Sequence, residues 1–359
     1  MASRHRLLLR WSWRDLRRRK GLVVLTAVII AIGTGTYGGL GGSSAWRIES
    51  QDASYAQLGY HDLRVRLPDN VDVAAGALVE QIAPLDGVDA VEERLVVPTQ
   101  VDASTADDVV LVPGELVGLA PDATIDQLHV ASGTAEGWGT DQVVLEQKFV
   151  DDRGLPDTGT IAIGGGRELR YEGTGVTPEH FRVQGATGAQ LTGAYGYAVV
   201  YLPLAAAQEL SGREGRVDEA VVRLAPEADA DAVATEVEAA LADEGATVET
   251  RDDDTVRRTL YADARNDEKM WTALSLLILA GAAFAAFNLV TRMVEAERRE
   301  IGVGMALGAP VARLAVRPLL VGLQIAVLGV ALGVVVGLGA GHAMRDLLVD
   351  FLPLPTWHT

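Results

Sequence analysis

Three long apolar runs organise the sequence. They cover Gly21–Leu40, Trp271–Val290 and Leu314–Ala340. About 20 apolar residues are enough for a helix that crosses the roughly 30 Å hydrocarbon core of a bilayer. The pattern therefore predicts a membrane protein with three transmembrane helices, which we place at residues 21–45, 270–291 and 314–341.

The first run has two interpretations. Small residues follow it at positions 41–45, as they do at the cleavage site of a secretory signal peptide. However, the run is long for a signal, and two further apolar runs follow later in the chain. An uncleaved membrane anchor is therefore the favoured interpretation.

Arginines before the first run and after the second predict the orientation in the membrane. Residues 1–20 alternate arginines with leucines and tryptophans, and more arginines occur between positions 292 and 317. Basic residues concentrate in cytoplasmic segments. We therefore predict that residues 1–20 and 292–313 are cytoplasmic, and that residues 46–269 and the tail 342–359 lie outside. Residues 1–20 are expected to form an amphipathic helix on the membrane surface, with a plain charged flank as the alternative.

The long segment between the first two runs predicts an α+β extracytoplasmic domain. His61–Leu67 alternates polar and apolar residues, and Tyr195–Leu204 is rich in β-branched and aromatic residues, as strands are. Ala228–Ala242 is an alanine-rich helix, and the region between these elements is mostly β. We expect an α/β lobe into which a β-rich lobe is inserted, with stalk helices at both ends of the domain.

Composition narrows the possible functions. The formal net charge is −18, and the acidic residues concentrate in the middle segment, which argues against nucleic-acid binding. The sequence has no cysteine, so disulfides, thiol catalysis and iron–sulfur clusters are excluded. It has no G-x-x-x-x-G-K-[ST] or G-x-S-x-G motif, and its six histidines are scattered. We therefore predict no catalytic, metal or cofactor site.

Residues 292–313, which we call the coupling segment, are charged at the start and rich in small residues at the end. Gly308 suits the end of a helix, and Pro310 suits the first turn of the next one. The segment is therefore expected to form a short helix along the inner membrane surface, followed by a tight turn into the third span.

The coupling segment also carries a family resemblance. The letters ERREIG at 297–302 and ALGA at 306–309 resemble the signature of FtsX-like ABC transporter permeases, a group that includes the MacB type. The resemblance implies that a separate ATPase subunit docks here, with charged residues forming ionic contacts, apolar residues filling its groove and glycines allowing close approach. The implied coupling residues are Glu297, Arg298, Glu300, Ile301, Gly302, Leu307, Gly308 and Ala309.

The outer domain resembles the same family more loosely. The phrases VVLEQKF, DDRGL, GTIAI and AVVYLPLAAAQEL are similar to the periplasmic core domain of the MacB type. The family has a fourth span that this sequence does not show. Either the chain would be a piece or half of a longer permease, or a partner would supply the missing helix.

Regularly spaced glycines predict close helix packing within the membrane. Glycines four residues apart lie on one face of a helix and let another backbone approach closely. The predicted packing residues are Gly35 and Gly39 in the first span, and Gly329, Gly333 and Gly337 in the third.

The resemblance implies a permease subunit in the bacterial plasma (inner) membrane. ATP hydrolysis would occur in the partner ATPase, so the chain itself would not be an enzyme. The permease would form a homodimer, or a heterodimer with a second permease subunit, within the bilayer. It would move a lipid, lipoprotein or peptide, or activate an outer partner. The alternative is a membrane-anchored sensor or adhesion protein that acts without an ATPase.

Overall fold

The computed structural model describes residues 20–105, 108–183 and 196–358. The predicted amphipathic helix at 1–20 therefore lies outside the described residues, apart from Lys20. The described chain divides into two compact units. The helical unit contains residues 20–48 and 263–348, and the α/β domain contains residues 49–262 together with 349–358.

The helical unit is built from long helices. Three helical stretches of the described chain, Val23–Gln57, Thr255–Ala296 and Leu314–Phe351, are long and apolar enough to cross a membrane. The helices that lie wholly or partly in this unit are α1 (Lys20–Gly35), α2 (Ser43–Gln57), α7 (Thr255–Ala296), α8 (Arg298–Ala306) and α9 (Val311–Phe351). A π-helical turn, Thr36–Gly41, joins α1 to α2. Such turns are rare and often lie at functional sites.

Helix α9 is longer than the third span inferred from hydropathy. It continues through HAMRDLLVDF, whereas the apolar pattern ends the span at residue 341. After Gly341 the chain contains no glycine or proline until Pro353, so nothing in this polar stretch interrupts the helical hydrogen bonds. Hydropathy shows where the apolar residues end, at residue 341, whereas the helix itself ends at Phe351.

Among the described residues, the α/β domain is organised by one mixed sheet of ten strands. Its path is β12-β1-β11-β3-β4-β9-β6-β8-β5, with β7 beside β3 and β8, while β2 and β10 form a separate pair. The strands are β1 (Leu63–Arg66), β2 (Val73–Ala74), β3 (Val88–Asp102), β4 (Leu111–Leu119), β5 (His129–Gly133), β6 (Gln142–Glu146), β7 (Gly159–Ile163), β8 (Arg167–Val176), β9 (Ala198–Pro203), β10 (Arg216–Val217), β11 (Glu219–Leu224) and β12 (Thr247–Thr250). The domain's short helices are α3 (Ala77–Ile82), α4 (Gln147–Arg153), α5 (Leu204–Ser211) and α6 (Ala230–Ala240).

The long strand β3 is shared by two lobes. Its first half pairs with β11, and its second half, from Leu95, pairs with β4. In the first lobe, α3 and α6 bury residues such as Ile82 and Val237 against β1 and β11. In the second lobe, β6, β9 and α4 bury residues such as Phe149 and Val200. The predicted fold class, an α/β lobe with a β-rich lobe inserted, is confirmed.

The C-terminal tail packs into the α/β domain. Leu352 and Leu354 are buried in a cluster that includes Tyr55 and Phe181. The Ser54 hydroxyl and Thr356 also form hydrogen bonds: the hydroxyl donates to the Thr356 carbonyl at 3.2 Å, and the Thr356 N–H donates to the hydroxyl at 3.3 Å. The tail is therefore a structural part of the domain, a role that its sequence did not reveal.

We expect the Leu354→Ala substitution to lower the free energy of unfolding by about 2–5 kcal/mol, because it removes buried methyl groups and leaves a cavity. The measurement is urea unfolding of the full chain in detergent. Phe351→Ala is the control, since Phe351 is 53% exposed. Equal losses in the two variants would contradict the packing of the tail.

Candidate functional site

The coupling segment is a short helix between two long ones. Helix α7 ends at Ala296, Glu297 precedes α8, and Leu307 follows it. The Ile301 N–H donates to the Glu297 carbonyl at 3.0 Å, so Glu297 closes the first turn of α8. Arg298, Glu300 and Ile301 therefore lie within one turn of a helix whose residues are all exposed or half-buried.

Gly308 ends this helix with a defined turn. Its φ is +83°, in the left-handed region that favours glycine. The Gly308 N–H donates to the Met305 carbonyl at 3.0 Å, and the Ala309 N–H donates to the Gly304 carbonyl at 3.0 Å. These two bonds form a Schellman motif, which satisfies carbonyls that the end of α8 would otherwise leave free. The chain then passes Pro310 and begins α9 at Val311.

Several apolar side chains of the coupling segment are exposed. Leu307 is 83% exposed, and Val311, Val303 and Met305 are also among the exposed large apolar residues of the described chain. Clustered exposed apolar residues mark interaction sites. Arg298, Glu300, Gly302 and Gly308 are exposed as well, and Glu297, Ile301 and Ala309 are half-buried. The segment thus combines an apolar projection with charged neighbours.

Sequence reasoning singled out only part of this surface. It named Ile301 and Leu307 as the apolar contacts and passed over Val303, Met305 and Val311. The missed signal was available, because apolar residues in a short segment between two spans have no core to enter.

The predicted packing glycines meet in the helical unit. A Cβ atom at Gly35 would lie 3.0 Å from the Gly333 carbonyl oxygen, and one at Gly39 would lie 2.3 Å from the Gly337 carbonyl oxygen. Gly329 faces a different neighbour, since its Cβ would lie 2.7 Å from Ile30. These distances leave no room for a side chain, so α1, the π turn and α9 are in backbone contact.

We expect Gly39→Ala to destabilise the helical unit by about 1–3 kcal/mol, since the new methyl group would overlap backbone atoms that cannot rotate away. Gly38→Ala is the matched control in the same π turn, because a Cβ there meets nothing within 4 Å. Thermal unfolding of the full chain in detergent measures both. A Gly39→Ala variant as stable as Gly38→Ala would contradict the backbone contact.

The α/β domain contains a buried network of charged residues. The Arg94 guanidinium is hydrogen-bonded to Asp126 and, at 2.8 Å, to Glu179. Arg64 forms ion pairs with Glu219 at 2.7 Å and with Glu179 at 3.4 Å. Arg94 and its carboxylate partners are almost fully buried. The network connects β1, β3 and β11 with the loop that contains Asp126 and with a 3₁₀ turn, Pro178–His180, that contains Glu179.

Two histidines extend the network. His61 Nδ1 lies 2.6 Å from Asp126, and His180 Nε2 lies 3.1 Å from Glu115. Burial would raise the pKa of Glu179, but Arg94 and Arg64 hold that pKa well below its usual range. Burial would lower the pKa of His180, yet the hydrogen bond to Glu115 leaves that pKa raised. The Glu179 carboxylate and the guanidiniums of Arg94 and Arg64 are therefore held in the network as charged groups.

The same cluster offers a geometry in which a metal could be held. Ligand atoms of His61, Asp126 and Glu179 lie within 4.8 Å of one another. However, Arg94 donates hydrogen bonds to both carboxylates and supplies the positive charge that a metal would bring. The residues present therefore fit a structural ion network better than a metal centre.

We expect Arg94→Met to lower the free energy of unfolding by about 3–5 kcal/mol, because it leaves buried carboxylates without their cation. The exposed pair of Arg223 with Asp89 provides the control, since Arg223→Met should change stability by about 1 kcal/mol or less. Both are measured by chemical unfolding of the full chain. Similar losses of unfolding free energy in the two variants would show that the buried network contributes no more to stability than an exposed ion pair does.

Comparison with known proteins gives a family for the C-terminal part. Residues 272–358 match the family described as FtsX-like permease C-terminal. The match includes the coupling segment and confirms the resemblance read from its ERREIG and ALGA motifs. A search of curated proteins gave no match.

Two of the solved structures to which this chain is similar are a periplasmic region and an extracellular domain. The periplasmic region of MacB from Actinobacillus actinomycetemcomitans is 10% identical, with a TM-score of 0.36, over 57% of this chain and 95% of that one. The extracellular domain of the noncanonic ABC-type transporter YknZ from Gram-positive bacteria is 12% identical, with a TM-score of 0.35, over 52% of this chain and 99% of that one.

Proposed function

We propose that this chain is the permease subunit of an ABC transporter and is driven by a separate ATPase, because residues 272–358 match the family described as FtsX-like permease C-terminal. The ATPase binds the coupling segment from the cytoplasm. The α/β domain lies outside the bacterial inner membrane and moves in response. The coupled work is the movement of a lipid, lipoprotein or peptide, or the activation of an outer partner.

The exposed apolar surface of the coupling segment carries the proposal. Leu307 projects from the end of α8 with 83% of its surface exposed, next to a capped turn that fixes its direction. A side chain of this kind contributes to binding when it enters a pocket on a partner. Arg298 and Glu300 lie in the same helix, where they can set the orientation of the partner through charge.

Helix α7 offers a path for the motion. It is continuous from Thr255 to Ala296, so its 42 residues include both the predicted second span and residues 255–262, which belong to the α/β domain. A continuous helix transmits displacement along its axis because its backbone is fully hydrogen-bonded. A push on the coupling segment would reach the domain through this helix.

The permease acts as a dimer within this proposal. An ATPase dimer that closes on ATP presents two binding sites, which requires a second permease subunit, identical or related. A sensor without an ATPase is the competing function, and it leaves the exposed apolar residues of the coupling segment without a partner.

We expect Leu307→Asp to abolish co-purification of the ATPase with the tagged full chain, because a carboxylate would enter an apolar pocket. Glu300→Arg should weaken it by reversing a charge. Val109→Asp is the matched control, since Val109 is 82% exposed in the α/β domain. The measurement is the ATPase activity recovered per mole of permease.

Undiminished ATPase in the Leu307→Asp complex would refute the docking role. Equal loss with Val109→Asp would show that the effect is general destabilisation instead of a lost contact.

A further inference from the structure

A cavity in the helical unit lies beside the glycine contact. Its volume is about 350 Å³, and its walls come from α1, the π turn, the start of α2 and α9. Small residues such as Gly38 and Gly42 form one wall. Val334 and Leu338 form an apolar wall on α9, and Trp46, His342 and Arg345 complete the lining.

The lining changes from apolar to polar along α9. Leu338, His342 and Arg345 are spaced four and three residues apart, so they lie on the same helix face. From Val334 to Arg345 the helix rises about 16 Å at 1.5 Å per residue. That length is close to half of the roughly 30 Å hydrocarbon core. The cavity therefore has the dimensions of an acyl chain within one leaflet, with its polar end at the membrane surface.

Arg345 lacks a partner at that polar end. Its Nε atom is buried without a hydrogen bond, and within the described residues the guanidinium forms no ion pair. A buried donor without an acceptor is unfavourable. A phosphate would accept two parallel hydrogen bonds from a guanidinium. The imidazole of His342 also lines this end of the cavity. Its Nδ1 donates to the Leu338 carbonyl at 2.7 Å, so its Nε2 would donate to a phosphate only when the ring is protonated.

We propose that this cavity binds an anionic phospholipid, with an acyl chain against the glycines and the phosphate on Arg345. Trp46 also lines the cavity, and the indole ring of a tryptophan favours the headgroup layer of a membrane. An unpaired cation favours an anionic headgroup over a second protein helix, whose apolar side chains would leave it unpaired. The proposal requires that α1 and α9 cross a membrane, and it does not depend on an ATPase.

The test is native mass spectrometry of the delipidated full chain in detergent, titrated with phosphatidylglycerol and, in parallel, with phosphatidylcholine. Wild type should bind phosphatidylglycerol about tenfold or more tightly than Arg345→Gln does, as expected for the loss of charge-assisted hydrogen bonds. Arg265→Gln, an exposed arginine of α7, should bind like wild type.

A second pair of variants tests the acyl-chain wall. Gly38→Leu should fill the cavity and weaken binding, whereas Gly339→Leu on α9 should not. In both cases a Cβ atom meets nothing within 4 Å, and Gly339 does not line the cavity. Circular dichroism of both variants confirms that they remain folded.

Three results would overturn the proposal. The first is equal binding of phosphatidylglycerol by wild type and Arg345→Gln. The second is equal binding of phosphatidylcholine and phosphatidylglycerol by wild type, which would mean that the headgroup charge is not recognised. The third is displacement of the lipid by millimolar inorganic phosphate, which would indicate a site for free phosphate.

Discussion

Helices α1 and α9 meet backbone to backbone, and the membrane part of the molecule depends on that contact. Lipid tails are as apolar as leucine, so no hydrophobic force drives helices together within a bilayer. What remains is van der Waals contact, which grows as backbones approach. The absence of a side chain at Gly35 and Gly39 allows the approach, and the carbonyls of Gly333 and Gly337 occupy the space.

The same absence of side chains has a second consequence. Beyond the contact, Gly38 faces open space instead of another backbone, and the cavity begins there. The π turn contributes to this change because it shifts the register of the helix between α1 and α2. Tight packing and a binding cavity thus arise from neighbouring glycines of one helical stretch.

The α/β domain is organised by a different principle. Its two lobes share β3, and Arg94 on that strand gathers acidic residues from separate parts of the chain. A buried ion network of this kind is weak evidence for stability, because desolvation offsets much of the attraction. Removing one partner is still unfavourable, because it leaves a buried charge uncompensated. The network therefore specifies one arrangement of the strands around Arg94.

The sequence alone predicted interactions between residues that are close together along the chain, and it did not predict those between residues that are far apart. Gly308 and Pro310 act on adjacent residues, so the turn of the coupling segment could be read directly. The spacing of the glycines indicated a packing face, but it could not show that Gly39 lies against Gly337. The partners Arg94, Asp126 and Glu179 are far apart in sequence, and no local pattern marks them as neighbours. The docking of the tail through Leu354 depends on the folded domain in the same way.

The central claim is that the coupling segment is exposed to the cytoplasm, where an ATPase can bind it. The sequence contains no cysteine, so Leu307→Cys introduces one thiol at the most exposed apolar position of α8 and its turn. A membrane-impermeant maleimide should leave this thiol unlabelled in intact cells and label it in inverted membrane vesicles. Val109→Cys in the α/β domain should show the reverse pattern. Labelling of Leu307→Cys in intact cells would contradict the account.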